Sequence, residues 1–175
     1  GDSLDRIIHV QPLGVVSLEF LSLEEGYAFP GNGGGILNEG ELTLNNLHVA
    51  YNSCELNQGG STAGGMGGGV SNEGILNATN STFYENTAKG GIGANGSNGG
   101  GGGGSTPGLG GGIFNALNGT VSLTNCTLSA NKAIGGRYSN GSTNGGNFNM
   151  IGNAGAGANG GAAGASGGGA GGNAS

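Results

Sequence analysis

The sequence predicts an all-β protein: a short right-handed parallel β-helix of about four coils, flanked by a glycine-rich lobe. Three observations carry that expectation. Segments near residues 33, 67 and 110 repeat one another, apolar residues within each copy alternate with polar ones, and glycine and asparagine recur at fixed places. Glycine supplies 47 of the 175 residues and asparagine 23, whereas charged residues make up 8%. Ordinary globular chains carry about 7% glycine and about 25% charged residues. Such a composition disfavours helical bundles and doubly wound enzymes, since Gly and Asn are poor helix formers. With three prolines, a collagen helix is excluded as well.

The copies read GGGILNEGELTLNNLHVAYN (33–52), GGGVSNEGILNATNSTFYEN (67–86) and GGGIFNALNGTVSLTNCTLSAN (110–131), the last with two extra residues in its turn. A degenerate first copy is recognisable in Val16–Leu23, which matches Val121–Leu128. Leu42 and Leu44 share a face, followed after a corner by Leu47 and Val49. The equivalents are Leu76, Ala78, Ser81 and Phe83, then Val121, Leu123, Cys126 and Leu128. Period-two alternation of this kind is the mark of a strand. Ile36, Val70 and Ile113 belong to a shorter strand earlier in each copy, so each repeat is expected to fold as three short strands. No copy is long enough to bury its own apolar face, and successive copies must stack.

Three asparagine columns follow from the alignment: Asn38, Asn72 and Asn115; Asn46, Asn80 and Asn125; Asn52, Asn86 and Asn131. Stacked coils would set identical amides about 4.8 Å apart, each bonding the next, as inner ladders. Asn also tolerates the left-handed backbone of a sharp corner. The first copy has Phe20 and Gly26 in two of these columns and reads as a terminal turn, with Arg6–Val10 expected to cover that end.

GGGI or GGGV followed by Phe-x-x-Asn (Phe83 to Asn86) resembles the repeat of polymorphic outer membrane proteins and related autotransporter passengers. The resemblance spans about residues 13–133, although that family reads GGA at the glycine pair and Val49 and Leu128 replace the Phe in two copies. It implies a right-handed β-helix displayed at a cell surface, often with an adhesive role.

Taking Ala28, Cys54, Ala88 and Ala133 as the last aligned positions places glycine-rich inserts at 29–32, 55–66 and 89–109, all at one corner of a unit covering 1–133. Residues 134–175 form a fourth glycine-rich segment. Insertions at one solenoid corner emerge on one face. The resulting lobe is either packed extended glycine strands, polyglycine II in type, or disordered linker.

Residues 1–85 hold all ten acids and only Arg6; residues 86–175 hold Lys89, Lys132 and Arg137 and no acid, giving −9 and +3, net −6. An acidic chain does not seek phosphate backbones, so nucleic acid is not the expected partner. No apolar run reaches membrane-spanning length. Opening on Gly1 fits a processed form or a fragment. Pectin-cleaving enzymes use β-helices and need clustered carboxylates. Here the candidates are Asp2 and Asp5 near the terminus, and Glu39, Glu41 and Glu73, which read as an exposed turn ladder. Neither His9 nor His48 has companions at metal-ligand spacing, and the glycines lack the acid or lysine of calcium and phosphate loops. No catalytic, cofactor or metal residues are therefore expected.

Cys54 and Cys126 fall in different columns two coils apart, which predicts separate thiols, with Cys126 buried in the core. Of the seven Asn-x-Ser/Thr sequons, Asn95, Asn118 and Asn140 are the exposed candidates for glycosylation, whereas Asn80 and Asn125 are expected inside. The expected function is non-catalytic: an extracellular structural or adhesive component that associates with itself, with other subunits or with glycans. A carbohydrate-active β-helix and an ice-binding protein are the alternatives.

Overall fold

A computed structural model describes residues 5–56, 65–92 and 106–136; the predicted glycine-rich segment 134–175 from residue 137 on, most of the inserts 55–66 and 89–109, and the candidates Asp2, Asn95 and Asn140 lie outside them. All regular structure among the described residues is β. The first coil contains β1 (Ile8–Val10), β2 (Val15–Glu19), β3 (Ser22–Glu24) and β4 (Tyr27–Ala28). The second repeats it as β5 (Ile36–Asn38), β6 (Glu41–Asn45), β7 (His48–Ala50) and β8 (Ser53–Glu55). The third holds β9 (Val70–Asn72), β10 (Ile75–Thr79), β11 (Thr82–Tyr84) and β12 (Thr87–Lys89). The fourth closes the series with β13 (Ile113–Asn115), β14 (Thr120–Thr124), β15 (Thr127–Ser129) and β16 (Lys132–Ile134).

Equivalent strands pair in parallel, giving four four-stranded sheets: I (β1-β5-β9-β13), II (β2-β6-β10-β14), III (β3-β7-β11-β15) and IV (β4-β8-β12-β16). This is a parallel β-helix of four coils. Each coil has four strands, not the three read from the sequence. The missed strand is the fourth, where a three-residue segment turns one small residue inward and so shows no hydrophobic pattern. Its inward positions Ala28, Cys54, Ala88 and Ala133 are in register, as aligned from the sequence. Two further boundaries change. Glu55 and Lys89 belong to strands β8 and β12, so the inserts begin later than positions 55 and 89. Ile8–Val10 does not cap the stack; it is the first strand of sheet I, paired with Ile36–Asn38.

The interior is a column of side chains from every strand. Ile36, Leu42, Leu44, Leu47, Val49, Val70, Leu76 and Phe83 are fully or almost fully buried. Burial fades toward the ends because a coil is covered only by its neighbours. In the fourth coil Leu123 is 41% and Leu128 49% exposed. Cys126, expected in the core, is half-buried there for the same reason, its thiol 3.4 Å from the Ala78 carbonyl.

Corners need left-handed backbone, and each type recurs in register. Phe20, Asn46, Asn80 and Asn125 have φ of 55°, 55°, 48° and 54°. A second corner places Glu25, Tyr51, Glu85 and Ala130 at 62°, 57°, 49° and 55°. At the entrance to sheet I, Gly33, Gly67 and Gly110 do the same with φ between 59° and 72°. An L-residue in this region costs about 1 kcal/mol, so the corners are held by what stacks on them.

The two cysteines give a direct check of coil closure. Burial pushes the Cys54 thiol up to about 12, and its side chain is inaccessible. We expect a disulfide-exchange reagent at pH 8 to titrate one thiol, Cys126, quickly and the second only on unfolding. Equal rates would mean that the second coil opens readily.

Candidate functional site

Two of the asparagine columns are inward ladders, buried at Asn38, Asn72, Asn52 and Asn86, with Asn115 exposed and Asn131 half-buried in the fourth coil. Asn38 Nδ2 donates to Asn72 Oδ1 at 2.6 Å, and Asn72 Nδ2 to Asn115 Oδ1 at 2.7 Å. In the other, Asn52 Nδ2 donates to Asn86 Oδ1 at 3.0 Å and Asn86 Nδ2 to Asn131 Oδ1 at 2.9 Å. In this second ladder the other N–H reaches back to the preceding coil, from Asn52 to Leu23 O, Asn86 to Val49 O and Asn131 to Phe83 O, whereas Asn38 reaches forward to Ile75 O and Asn72 to Thr120 O. Gly26, which stands in this column, donates its backbone N–H to Asn52 Oδ1 at 2.8 Å. The amides of Asn38, Asn72, Asn52 and Asn86 are interior scaffold.

The third column differs from expectation. Asn80 and Asn125 are exposed and Asn46 is half-buried, so this ladder lies outside the core. Asn125 Nδ2 donates to Asn80 Oδ1 at 2.8 Å, while Asn46 bonds its neighbour Asn45 at 3.1 Å. Left-handed preference accounts for Asn at a corner whichever way the side chain points, and here it points out. The sequons at Asn80 and Asn125 are consequently accessible, contrary to the expectation that folding hides them. Asn118 is exposed in the turn before β14, as expected.

Outward positions of the sheets form regular rows along the axis. Sheet II presents Ser17, Thr43, Asn77 and Ser122 in register, then Glu19, Asn45, Thr79 and Thr124. Sheet III presents Ser22, His48, Thr82 and Thr127, then Glu24, Ala50, Tyr84 and Ser129. Hydroxyls and amides dominate these rows.

Sheet III also gathers the aromatic cluster of this surface. The His48 and Tyr84 rings stack at 6.5 Å with 22° between planes, and Tyr51 meets Tyr84 edge-on at 5.7 Å and 87°. Ala50 faces outward by strand alternation and is nonetheless wholly buried, in register with Tyr84 and Glu24 and next in sequence to Tyr51. Tyr51 remains 49% exposed. The sequence reading did not single out these rings. Tyr51 and Tyr84 stand in different columns of different coils, and only the stacking of a corner beside a strand brings them together.

Carboxylates edge the rings. Ser22 Oγ donates to Glu24 Oε1 at 2.5 Å, and His48 Nδ1 lies 3.1 Å from the same oxygen. The Glu24 carboxyl is held below its ordinary range, first by the Ser22 hydroxyl and then by His48. The Tyr84 phenol is held above its ordinary value, chiefly by its hydrogen bond to Glu85. Ser22, His48 and Glu24 do not make a nucleophilic triad. That device needs serine and acid on opposite ring nitrogens. Here Ser22 Oγ and Glu24 both approach Nδ1, and the serine proton goes to the carboxylate.

The other titratable groups are dispersed. Glu39 turns to His9, with Oε2 2.5 Å from Nε2, and Gln11 Nε2 sits 2.9 Å from His9 Nδ1. Glu39 and Glu73 are equivalent, since their backbone N–H groups bond Val10 O and Asn38 O, one coil apart. Glu55 and Lys89 form an ion pair of 3.7 Å across sheet IV. Among the described residues no group of three His, Cys, Asp or Glu is arranged to hold a metal. Nor is any helix long and apolar enough to cross a membrane. Comparison of the chain with protein families, curated proteins and solved structures finds no match.

Proposed function

We propose that this chain is a non-catalytic structural or adhesive protein that works outside the cell by presenting a flat face of polar side chains, mostly hydroxyls and amides. The observation that carries the reading is the set of registered hydroxyl and amide rows on sheets II and III. Parallel stacking spaces the successive residues of each row about 4.8 Å apart, so weak contacts are made many at a time and gain from multivalency. The dispersal of the carboxylates, and the pairing of Glu39 with His9, favour this reading over a carbohydrate-cleaving one. Extracellular display accords with the surface-passenger resemblance of the repeats, and self-association with the partly exposed leucines of the fourth coil.

Beads coated with the purified chain test the proposal on cellulose, chitin, mucin and bare cells. Retention above albumin-coated beads on at least one surface is expected, with no release of reducing ends from any polysaccharide. Polysaccharide turnover would replace the reading with an enzymatic one, and absence of retention on every surface would overturn it.

A further inference from the structure

We propose that the ring cluster of sheet III is a saccharide-binding platform, selective for neutral pyranose chains, with Tyr51 and Tyr84 as its stacking groups. The inference deepens the adhesive reading and rests on it. Its basis is the juxtaposition of three features. The first is an apolar shelf: the rings of His48, Tyr84 and Tyr51 pack on one another beside the buried Ala50, and Tyr51 keeps half its surface open. The C–H face of a pyranose ring is apolar and weakly positive, which suits the negative face of a tyrosine.

The second feature is the hydrogen-bonding rim. Glu24 and Glu85 supply carboxylate acceptors on either side of the rings, and Ser22 and Thr82 supply hydroxyls in the row of His48. Charged acceptors make the stronger hydrogen bonds to sugar hydroxyls. The third feature is charge. Among the described positions of sheet III and its adjoining corner, the ionic groups beside the shelf are Glu24, Glu25 and Glu85, and no lysine or arginine stands among them. A uronate or sulfated chain would meet like charge, whereas a neutral chain would not. The row Ser22, His48, Thr82 and Thr127 runs along the stack at a constant spacing, so a straight polymer lying along it meets hydroxyls on both sides of the rings. A folded protein partner fits less well, because a three-ring shelf ringed by polar groups is small beside a standard protein interface of about 800 Å² per side.

The chain has four tyrosines and no tryptophan, so tyrosine emission reports on the platform without labelling. Cello-, xylo- and chito-oligosaccharides should perturb it saturably, and oligogalacturonate should not, even at low salt. Tyr51→Asn keeps a residue suited to the left-handed corner, and Tyr84→Ser copies Ser129 in the same row. Each is expected to weaken binding about tenfold or more, which is about 1.4 kcal/mol per tenfold. Tyr27→Ser, on sheet IV, should leave affinity unchanged, and unfolding curves of all three variants establish that the coils persist. Wild-type affinity in both platform variants, or tighter binding of oligogalacturonate than of neutral chains, overturns the proposal. If coated beads adhere but no neutral oligosaccharide binds, the platform assignment fails and the adhesive reading survives; if neither occurs, both fail.

Discussion

Replacing Asn86 by alanine is expected to destabilise the stack by about 3–5 kcal/mol. The Asn86 amide is wholly buried and makes four hydrogen bonds. Its Oδ1 accepts from Asn52 Nδ2 at 3.0 Å and from the Asn52 backbone N–H at 3.1 Å. Its Nδ2 donates to Val49 O at 2.8 Å and Asn131 Oδ1 at 2.9 Å. Alanine orphans groups in the coils above and below, and a buried polar group without a partner costs about 1–3 kcal/mol. Asn46→Gly is the matched control: among the described residues its side chain bonds its neighbour Asn45, and glycine suits its φ of 55°. That change should stay within about 1 kcal/mol. Equilibrium urea unfolding followed by circular dichroism measures both, and similar midpoints for the two variants would deny the inner ladder its structural weight.

Gly68→Ala is expected to be comparably damaging for a purely steric reason. A Cβ there would sit 2.5 Å from Gly111 O and from the backbone C and N of Thr87. None of these atoms belongs to a flexible side chain. Moving the Gly68 backbone instead would strain its bonds to Gly110 O and from Gly35 N, each 3.2 Å, and so part three coils at once. Overpacking of this kind costs about 1–3 kcal/mol or more, and a drop in Tm of about 10 °C is anticipated for a domain of this size. Gly31→Ala is the control, because its Cβ would meet only the movable end of Arg6 at 3.2 Å and Ala28 at 3.6 Å. Thermal unfolding of the two variants should separate them clearly; equal melting would show that the coils can spread to admit a methyl group.

These two sites also show what was legible in the sequence. Each GGG triplet is followed by an Asn that completes its coil, and the structure gives both a role. A Cβ on Gly35, Gly69 or Gly112 would press on the amide of Asn52, Asn86 or Asn131 at 2.9–3.0 Å. Repeat spacing and alternation therefore carried the coil number, the register and two of the three ladders. The fourth strand was not legible, because Ser53–Glu55 and its equivalents turn one small residue inward over three positions. The outward turn of Asn80 and Asn125 was hidden as well, since the left-handed corner they occupy asks for Asn irrespective of direction. The ring cluster escaped for a third reason: nothing in one dimension links Tyr51 to Tyr84, which meet only when a corner in one coil stacks beside a strand of the next.

The bases of the inserts are tied off by backbone bonds. Met66 bridges Leu109 in parallel, Gly65 N donates to Lys89 O at 3.1 Å and Leu109 N to Gly65 O at 2.9 Å. Across the next insert, Thr106 N reaches Gly91 O at 3.2 Å and Gly136 N reaches Thr106 O at 2.9 Å. With both ends of a tract knotted to the coils, the residues between them no longer set the register of the core. Doubling the length of such a tether costs only about 0.6 kcal/mol in closure entropy. A tract tied off in this way can thus differ in length at little cost to the coils it springs from.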